Sequence, residues 1–162
     1  MTQNVQRCAE ISLPALQTLL GAYGLQVAML PENADIPGSY WGAPEAGLVL
    51  DTLYIRPDTP THSALHEAGH WICMDDARRA KLHTDAGGTV LEECAVNYLQ
   101  ILLAEALPDV GRKQMLRDMT TWGYSYREGS VYAWLEGDAA DAIAWLQQRG
   151  LIDAQRQRIT HR

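Results

Sequence analysis

The chain has little positive charge and no long apolar run, and each shortage argues against a class of protein. Thirteen Lys and Arg residues stand against twenty Asp and Glu residues, which gives a formal net charge of −7. Nucleic-acid-binding domains usually carry a basic face, so this class is disfavoured. No apolar stretch reaches the roughly 20 residues of a membrane-spanning helix, and the N-terminus lacks the pattern of a secretory signal. We therefore expect a cytoplasmic protein without a nucleic-acid or membrane partner.

Cysteine is also scarce. The chain has three cysteines, Cys8, Cys73 and Cys94, an odd number with no CxxC pair. This pattern favours reduced thiols in the cytosol over a disulfide framework. Cys73 follows two histidines closely enough to be considered as a metal ligand, but a buried thiol in the core is the commoner role.

The length and the periodicity of apolar residues indicate a single α+β domain. A chain of 162 residues is long enough to bury a core of its own. The alternation and punctuation of the sequence predict three short strands joined by Pro- and Gly-containing loops, with helices before and after them. The predicted strands span residues 25–30, 39–42 and 47–56, with a turn at 43–46; the predicted helices span residues 12–23, about 60–74, 89–106, 110–121, 132–135 and 138–149.

One helix carries the strongest functional motif, since residues 66–70 read HEAGH. Residues four apart lie on one face of a helix, so His66 and His70 can offer nitrogens to a single metal ion. In this HExxH pattern Glu67 lies beside the metal, where it can take a proton from a water molecule. Thr59 and Pro60 precede the helix as a predicted cap and first turn.

A third ligand is predicted on the next helix, which begins near Thr89. Two adjacent acids, Glu92 and Glu93, are available there. Glu93 is favoured because Asn97 lies one turn further on, where it can accept a hydrogen bond from the far nitrogen of a ligating histidine. Glu92 is rotated by roughly 100° on the same helix and is followed one turn later by an apolar residue. Glu92 remains the alternative ligand.

These motifs resemble those of the gluzincin class of zinc metallopeptidases, and most closely the minigluzincins and the ImmA/IrrE family. The HExGH core is matched by residues 66–70, and the E-x-x-x-N helix by Glu93 and Asn97. The resemblance covers roughly residues 40–106 and implies a zincin-like core, which we expect to span residues 1–108, in which the sheet packs on the HExxH helix and the Glu-bearing helix. Residues 109–162 are expected to form a C-terminal helical extension of the same domain. The resemblance also implies a peptide or protein substrate, with selective cleavage of a regulatory protein.

The predicted chemistry is zinc-dependent hydrolysis of a peptide bond. His66, His70 and Glu93 are expected to hold Zn²⁺, leaving a fourth position for water, while Glu67 transfers protons. An oxyanion donor is expected from further along the chain. Tyr124, Tyr126 and His83 are candidates for this donor, and Tyr126 is taken as the catalytic residue among these three.

Two other interpretations remain. The protein is alternatively a zinc-binding regulatory or interaction module with little proteolytic activity, because the small domain leaves limited room for a deep cleft. In the second interpretation, the protein binds no metal and the histidines are hydrogen-bonded core residues. Replacing Glu67 by Gln separates the enzyme from the module, and metal content separates both from the last case.

Overall fold

The computed structural model describes residues 4–38, 45–81, 89–124, 130–137 and 139–160. Within these ranges the chain forms a small α+β fold with a three-stranded mixed sheet, so the predicted class is confirmed. The strands are β1 (Gln26–Met29), β2 (Gly47–Val49) and β3 (Thr52–Ile55). The helices are α1 (Leu13–Gly21), α2 (Thr61–Cys73), α3 (Asp76–Arg79), α4 (Val90–Glu105), α5 (Gly111–Trp122), α6 (Val131–Gly137) and α7 (Ala140–Gln148).

The sheet differs from the prediction in one respect. The sequence predicted a single strand over 47–56, but the chain reverses at Leu50 and Asp51 and forms the antiparallel pair β2 and β3. Leu50 has a φ of 54°, which an apolar residue rarely adopts, so residue type gave no signal for this turn. β3 is the central strand and pairs in parallel with β1. The predicted strand at 39–42 lies outside the described residues.

The turn at Leu50 is tied to the motif helix. The indole Nε1 of Trp71, on α2, donates a hydrogen bond of 2.7 Å to the Leu50 carbonyl oxygen. A second link joins the two segments, because the Ser63 hydroxyl accepts a hydrogen bond of 3.0 Å from the backbone N–H of Ala46. The β2–β3 hairpin therefore holds the start and the end of α2.

The beginnings of the two motif helices are built differently. Thr89 caps α4 as predicted, since its side chain accepts a hydrogen bond from the backbone N–H of Glu92. Thr59 does not cap α2: its hydroxyl accepts from the backbone N–H of Arg56 at 2.8 Å, and Pro60 occupies the N-cap position. The predicted threonine cap is therefore wrong, although α2 begins at Thr61, ahead of the motif at residues 66–70.

α2 and α4 form the centre of the fold and approach each other closely at Gly69. A β-carbon added to Gly69 would lie 3.0 Å from Cγ1 of Val96, tighter than ordinary van der Waals contact. This close approach gives a packing reason for a glycine inside a helix, where it costs about 1 kcal/mol relative to alanine. α5 and α7 also pack against α4, so the chain after residue 108 adjoins the motif helices. None of the described helices is long and apolar enough to cross a membrane.

Part of the sheet edge near α2 is covered. β2 is an edge strand and packs against α2. The backbone of Pro37 and Gly38 lies directly against Gly47 and Leu48, and a β-carbon at Gly38 would come within 2.5 Å of the Leu48 carbonyl oxygen.

Candidate metal centre

His66, His70 and Glu93 meet at the contact between α2 and α4. The two imidazoles are one turn apart, with ring centroids 4.8 Å from each other and planes at 84°. His70 Nε2 lies 2.9 Å from one carboxylate oxygen of Glu93, and His66 Nε2 lies 3.5 Å from the other. Among the described residues this is the group of His, Cys, Asp and Glu side chains whose ligand atoms all lie within 4.8 Å of one another. They are close enough to hold one metal ion.

The spacing of these atoms suits either hydrogen bonds from the imidazoles to the carboxylate or a shared metal ion. A bare imidazole nitrogen and a carboxylate oxygen repel each other at hydrogen-bond distance, so either a proton or a metal ion must lie between each pair. The hydrogen bonds from His66 and His70 hold the pKa of Glu93 far below its usual range. Burial opposes protonation of His66, but its hydrogen bonds with Glu93 and Gln100 outweigh burial and raise its pKa. In the absence of metal, the centre therefore retains protons that a metal ion would replace.

Glu67 lines the same cleft without belonging to the triad. The cleft has a volume of about 340 Å³ and is walled by residues from the segment before β2, from α2 and α4, and from the end of α5 and the two residues after it, namely Glu45, His62, Ser63, His66, Glu67, Glu93, Asn97, Trp122, Gly123 and Tyr124. Burial raises the pKa of Glu67, against the opposing charges of His70 and His66. A carboxylate whose pKa is raised accepts a proton more readily than a free carboxylate, which suits a group beside the candidate metal centre to proton exchange.

The histidine partner on α4 is Gln100, which the sequence analysis did not single out. Its Oε1 lies 2.9 Å from Nδ1 of His66, the nitrogen that does not face Glu93. Asn97 was predicted for this role, but its Oδ1 is buried without a hydrogen-bond partner among the described residues, and so is Nδ1 of His70. The predicted bond to Asn97 is thus not formed, because the α2–α4 packing brings the next turn of α4 to His66. The spacing was a usable signal, since Gln100 follows Glu93 by seven residues on one helical face.

A second residue that the sequence analysis missed is His62. It lies one turn before His66, so three histidines recur at four-residue steps along α2. Its Nδ1 is 3.1 Å from the hydroxyl oxygen of Tyr124, and its Nε2 is buried without a partner in the described part of the chain. Burial, aided by the charge of His66, lowers the pKa of His62 to about 3. His62 is therefore neutral at physiological pH.

The three candidate oxyanion donors do not all fall within the described ranges. Tyr124 lines the cleft, is half-buried, and packs its ring edge-on against His66 with centroids 5.7 Å apart. Burial raises its pKa above the ordinary value, so the hydroxyl keeps its proton. Tyr126, the predicted catalytic residue, and His83 both lie outside the described residues.

The residues considered as alternative ligands are directed elsewhere. Glu92 is 5% exposed and forms an ion pair of 2.9 Å with Arg78. Cys73 is buried in the core, as expected, and neither residue belongs to the described ligand cluster.

Comparisons with protein-family models, with curated proteins and with solved structures return no match to this chain. The centre is thus defined by its own geometry: two histidines and one glutamate around one point, at the wall of a cleft.

Proposed function

We propose that the protein is a zinc-dependent metallopeptidase. The observation that carries the proposal is the convergence of His66, His70 and Glu93 on one point beside the half-buried carboxylate of Glu67. Two imidazoles and one carboxylate are a ligand set typical of catalytic zinc, and three protein ligands leave a coordination position open. Zinc held there would polarise a peptide carbonyl and lower the pKa of a water molecule toward neutrality.

The protein's own residues supply the proton transfers. Glu67 accepts a proton from the attacking water and delivers it to the leaving amine, and its raised pKa suits both steps. Tyr124 donates a hydrogen bond from its hydroxyl to the carbonyl oxygen as that oxygen gains negative charge, and the hydroxyl keeps its proton. Its position in the cleft and its retained proton support Tyr124 as this donor. Gln100 accepts the Nδ1 proton of His66 and so directs Nε2 of that ring toward the metal.

The decisive variant is Glu67→Gln, with Glu45→Gln as the matched control. Glu45 lines the same cleft, so its replacement removes one negative charge there without touching the proposed base. We expect Glu67→Gln to retain one zinc per chain and to lose cleavage by at least about 100-fold, the lower range for a general base. Glu45→Gln should stay within about 10-fold of the wild type.

Substrates are sought by a proteome-wide search for new peptide ends with the wild type and each variant. Zinc content is measured by elemental analysis after loading and dialysis. Equal cleavage by the wild type and Glu67→Gln would refute the peptidase. Stable zinc binding with no cleavage by any form would instead favour the zinc-binding regulatory module, and near-zero zinc after loading would exclude both.

A further inference from the structure

His62 belongs to a connected set of polar groups behind the metal centre. Its ring is 2% exposed and packs against Trp122 and Tyr124, with centroid distances of 4.7 and 5.5 Å. Nδ1 contacts the Tyr124 hydroxyl at 3.1 Å, and Gln100 Nε2 donates to the same hydroxyl at 3.4 Å. Gln100 also bonds to His66 through Oε1. The set therefore joins a metal ligand to a side chain of the cleft wall.

The chemistry of His66 determines the orientation of the Gln100 amide. When Nε2 of His66 serves a metal, Nδ1 carries the ring proton, so the group facing it must be the amide oxygen. The amide nitrogen then donates one hydrogen to the carbonyl oxygen of His62, at 3.1 Å, and its other hydrogen is shared between the Tyr124 hydroxyl oxygen and the Met115 sulfur, each at 3.4 Å. The Tyr124 oxygen is an acceptor in this arrangement, and the direction of its own proton depends on His62.

A neutral His62 has two tautomers, and they place the tyrosine proton differently. With the proton on Nε2, Tyr124 donates to Nδ1 and the ring buries an N–H that has no acceptor among the described residues. With the proton on Nδ1, the ring donates to Tyr124 and no N–H is left unpaired. An unpaired buried group of either kind costs about 1 to 3 kcal/mol, but unpaired buried N–H groups are rarer in proteins than unpaired acceptors, which have a second lone pair or weaker demands. The second tautomer is therefore favoured.

We propose that His62 is a positioning residue for Tyr124: its Nδ1–H donates to the tyrosine oxygen and leaves the tyrosine proton for a substrate oxygen in the cleft. His62 and Gln100 together occupy the acceptor sites of the hydroxyl, so its proton has the substrate as its remaining partner. The arrangement of the ring is a property of the folded chain. Its effect on cleavage rests on the proposed peptidase function.

The first test reads the tautomer without any substrate. Nitrogen-15 NMR of the zinc-loaded protein distinguishes a protonated from an unprotonated ring nitrogen, and the His62 signals are identified by their loss in His62→Asn. We expect protonated Nδ1 and unprotonated Nε2 in the wild type. Tyr124→Phe removes the acceptor and should shift the population toward the Nε2–H form. A wild-type ring protonated on Nε2 would overturn the proposal.

The second test compares His62→Asn with His62→Gln. The Asn amide nitrogen falls near the position of Nδ1 and can still donate to Tyr124, whereas the Gln amide reaches the position of Nε2. We expect His62→Gln to lower kcat by about 10- to 100-fold, no more than the loss of one oxyanion donor, with KM and zinc content unchanged. His62→Asn should stay within about 3-fold, because it retains the donor.

A double-mutant cycle separates positioning from general damage to the fold. In a Tyr124→Phe background, His62→Gln should cause no further loss of kcat, since the two residues act through one hydrogen bond. Additive losses, or equal losses for the Asn and Gln variants, would overturn the positioning role. If the wild type cleaves nothing while His62 is protonated on Nδ1, the peptidase proposal fails and the ring arrangement stands. Thermal unfolding of each variant identifies any that do not fold.

Discussion

Glu92 and Glu93 are neighbours on α4, yet they lie in opposite electrostatic environments. Glu93 faces the metal side, defined here by His66, His70 and Glu93, and its side chain is 39% exposed. Glu92 faces the arginine side, defined by Glu92 and Arg78, and its side chain is 7% exposed. A rotation of roughly 100° between adjacent helical residues separates the two. The more buried carboxylate is the one that has a permanent cation as its partner.

The two carboxylates differ in whether a metal ion can replace the positive charge of their partner. Arginine stays protonated at all ordinary pH values, so the Glu92–Arg78 pair cannot exchange its positive charge for a metal ion. A histidine nitrogen can give up its proton to bind a metal ion, so the protons of the metal side are replaceable by a divalent ion. A structural ion pair and a candidate metal centre thus arise from two consecutive glutamates.

The largest expected effect separates the two sides by metal affinity. Glu93→Gln should weaken zinc binding by more than about 100-fold, beyond the loss typical of an outer-shell partner, because it removes a ligand. Glu92→Gln is the matched control and should change zinc affinity by less than about 3-fold. Competition with a chromophoric chelator at constant pH measures both. Equal affinities for the two variants would remove the distinction between the metal side and the arginine side.

The next effect concerns the stability of the metal-free protein, for which we expect the arginine side to matter more than the metal side. Arg78→Met breaks the Glu92–Arg78 pair and leaves a buried carboxylate without its cation. We expect the free energy of unfolding to fall by about 1 to 2 kcal/mol, less than for a fully buried pair because the arginine side chain is 38% exposed. Glu93→Gln in the presence of chelator should cost less than about 1 kcal/mol. Urea denaturation gives both values, and the reverse order would contradict the assignment of the buried pair.

The last expected effect concerns His62, which has neither a metal nor an ion pair. Its pKa of about 3 in the folded protein lies below the ordinary value of 6.5, so between these values the unfolded chain binds a proton that the folded chain rejects. Stability should therefore fall as pH drops below about 6.5, by about 1.4 kcal/mol at pH 5.5 relative to pH 8.

The control for this pH dependence is His62→Asn, which has no titrating ring at this position. Unfolding free energies are measured from pH 8 to pH 4 in chelator, and the wild-type curve is compared with the variant curve. The difference between them should decline below pH 6.5. Parallel curves would mean that His62 is protonated equally in the folded and unfolded states.

The elements that the sequence predicted well are those formed by local interactions. Thr89 caps α4, and α1 begins after Ser12, because a cap bonds to backbone groups only a few residues away. The hairpin turn at Leu50 escaped prediction because its conformation is held by Trp71, a residue 21 positions away. Among site residues, the same division separates His66 and His70, which share one helix, from their partners on α4.

Helical periodicity alone places the His66 and His70 imidazoles one turn apart on one helix, with the Glu67 carboxylate next to them, because it is a local property of the backbone. It left open which of two adjacent glutamates would complete the group. Tertiary structure decided this through the approach of α2 to α4 at Gly69. The same packing brought Gln100 to His66 across 34 residues, and the end of α5 brought Tyr124 to His62 across 62 residues. Such long-range pairs depend on the relative rotation and axial position of whole elements, and the helical spacing of any single segment does not contain that information.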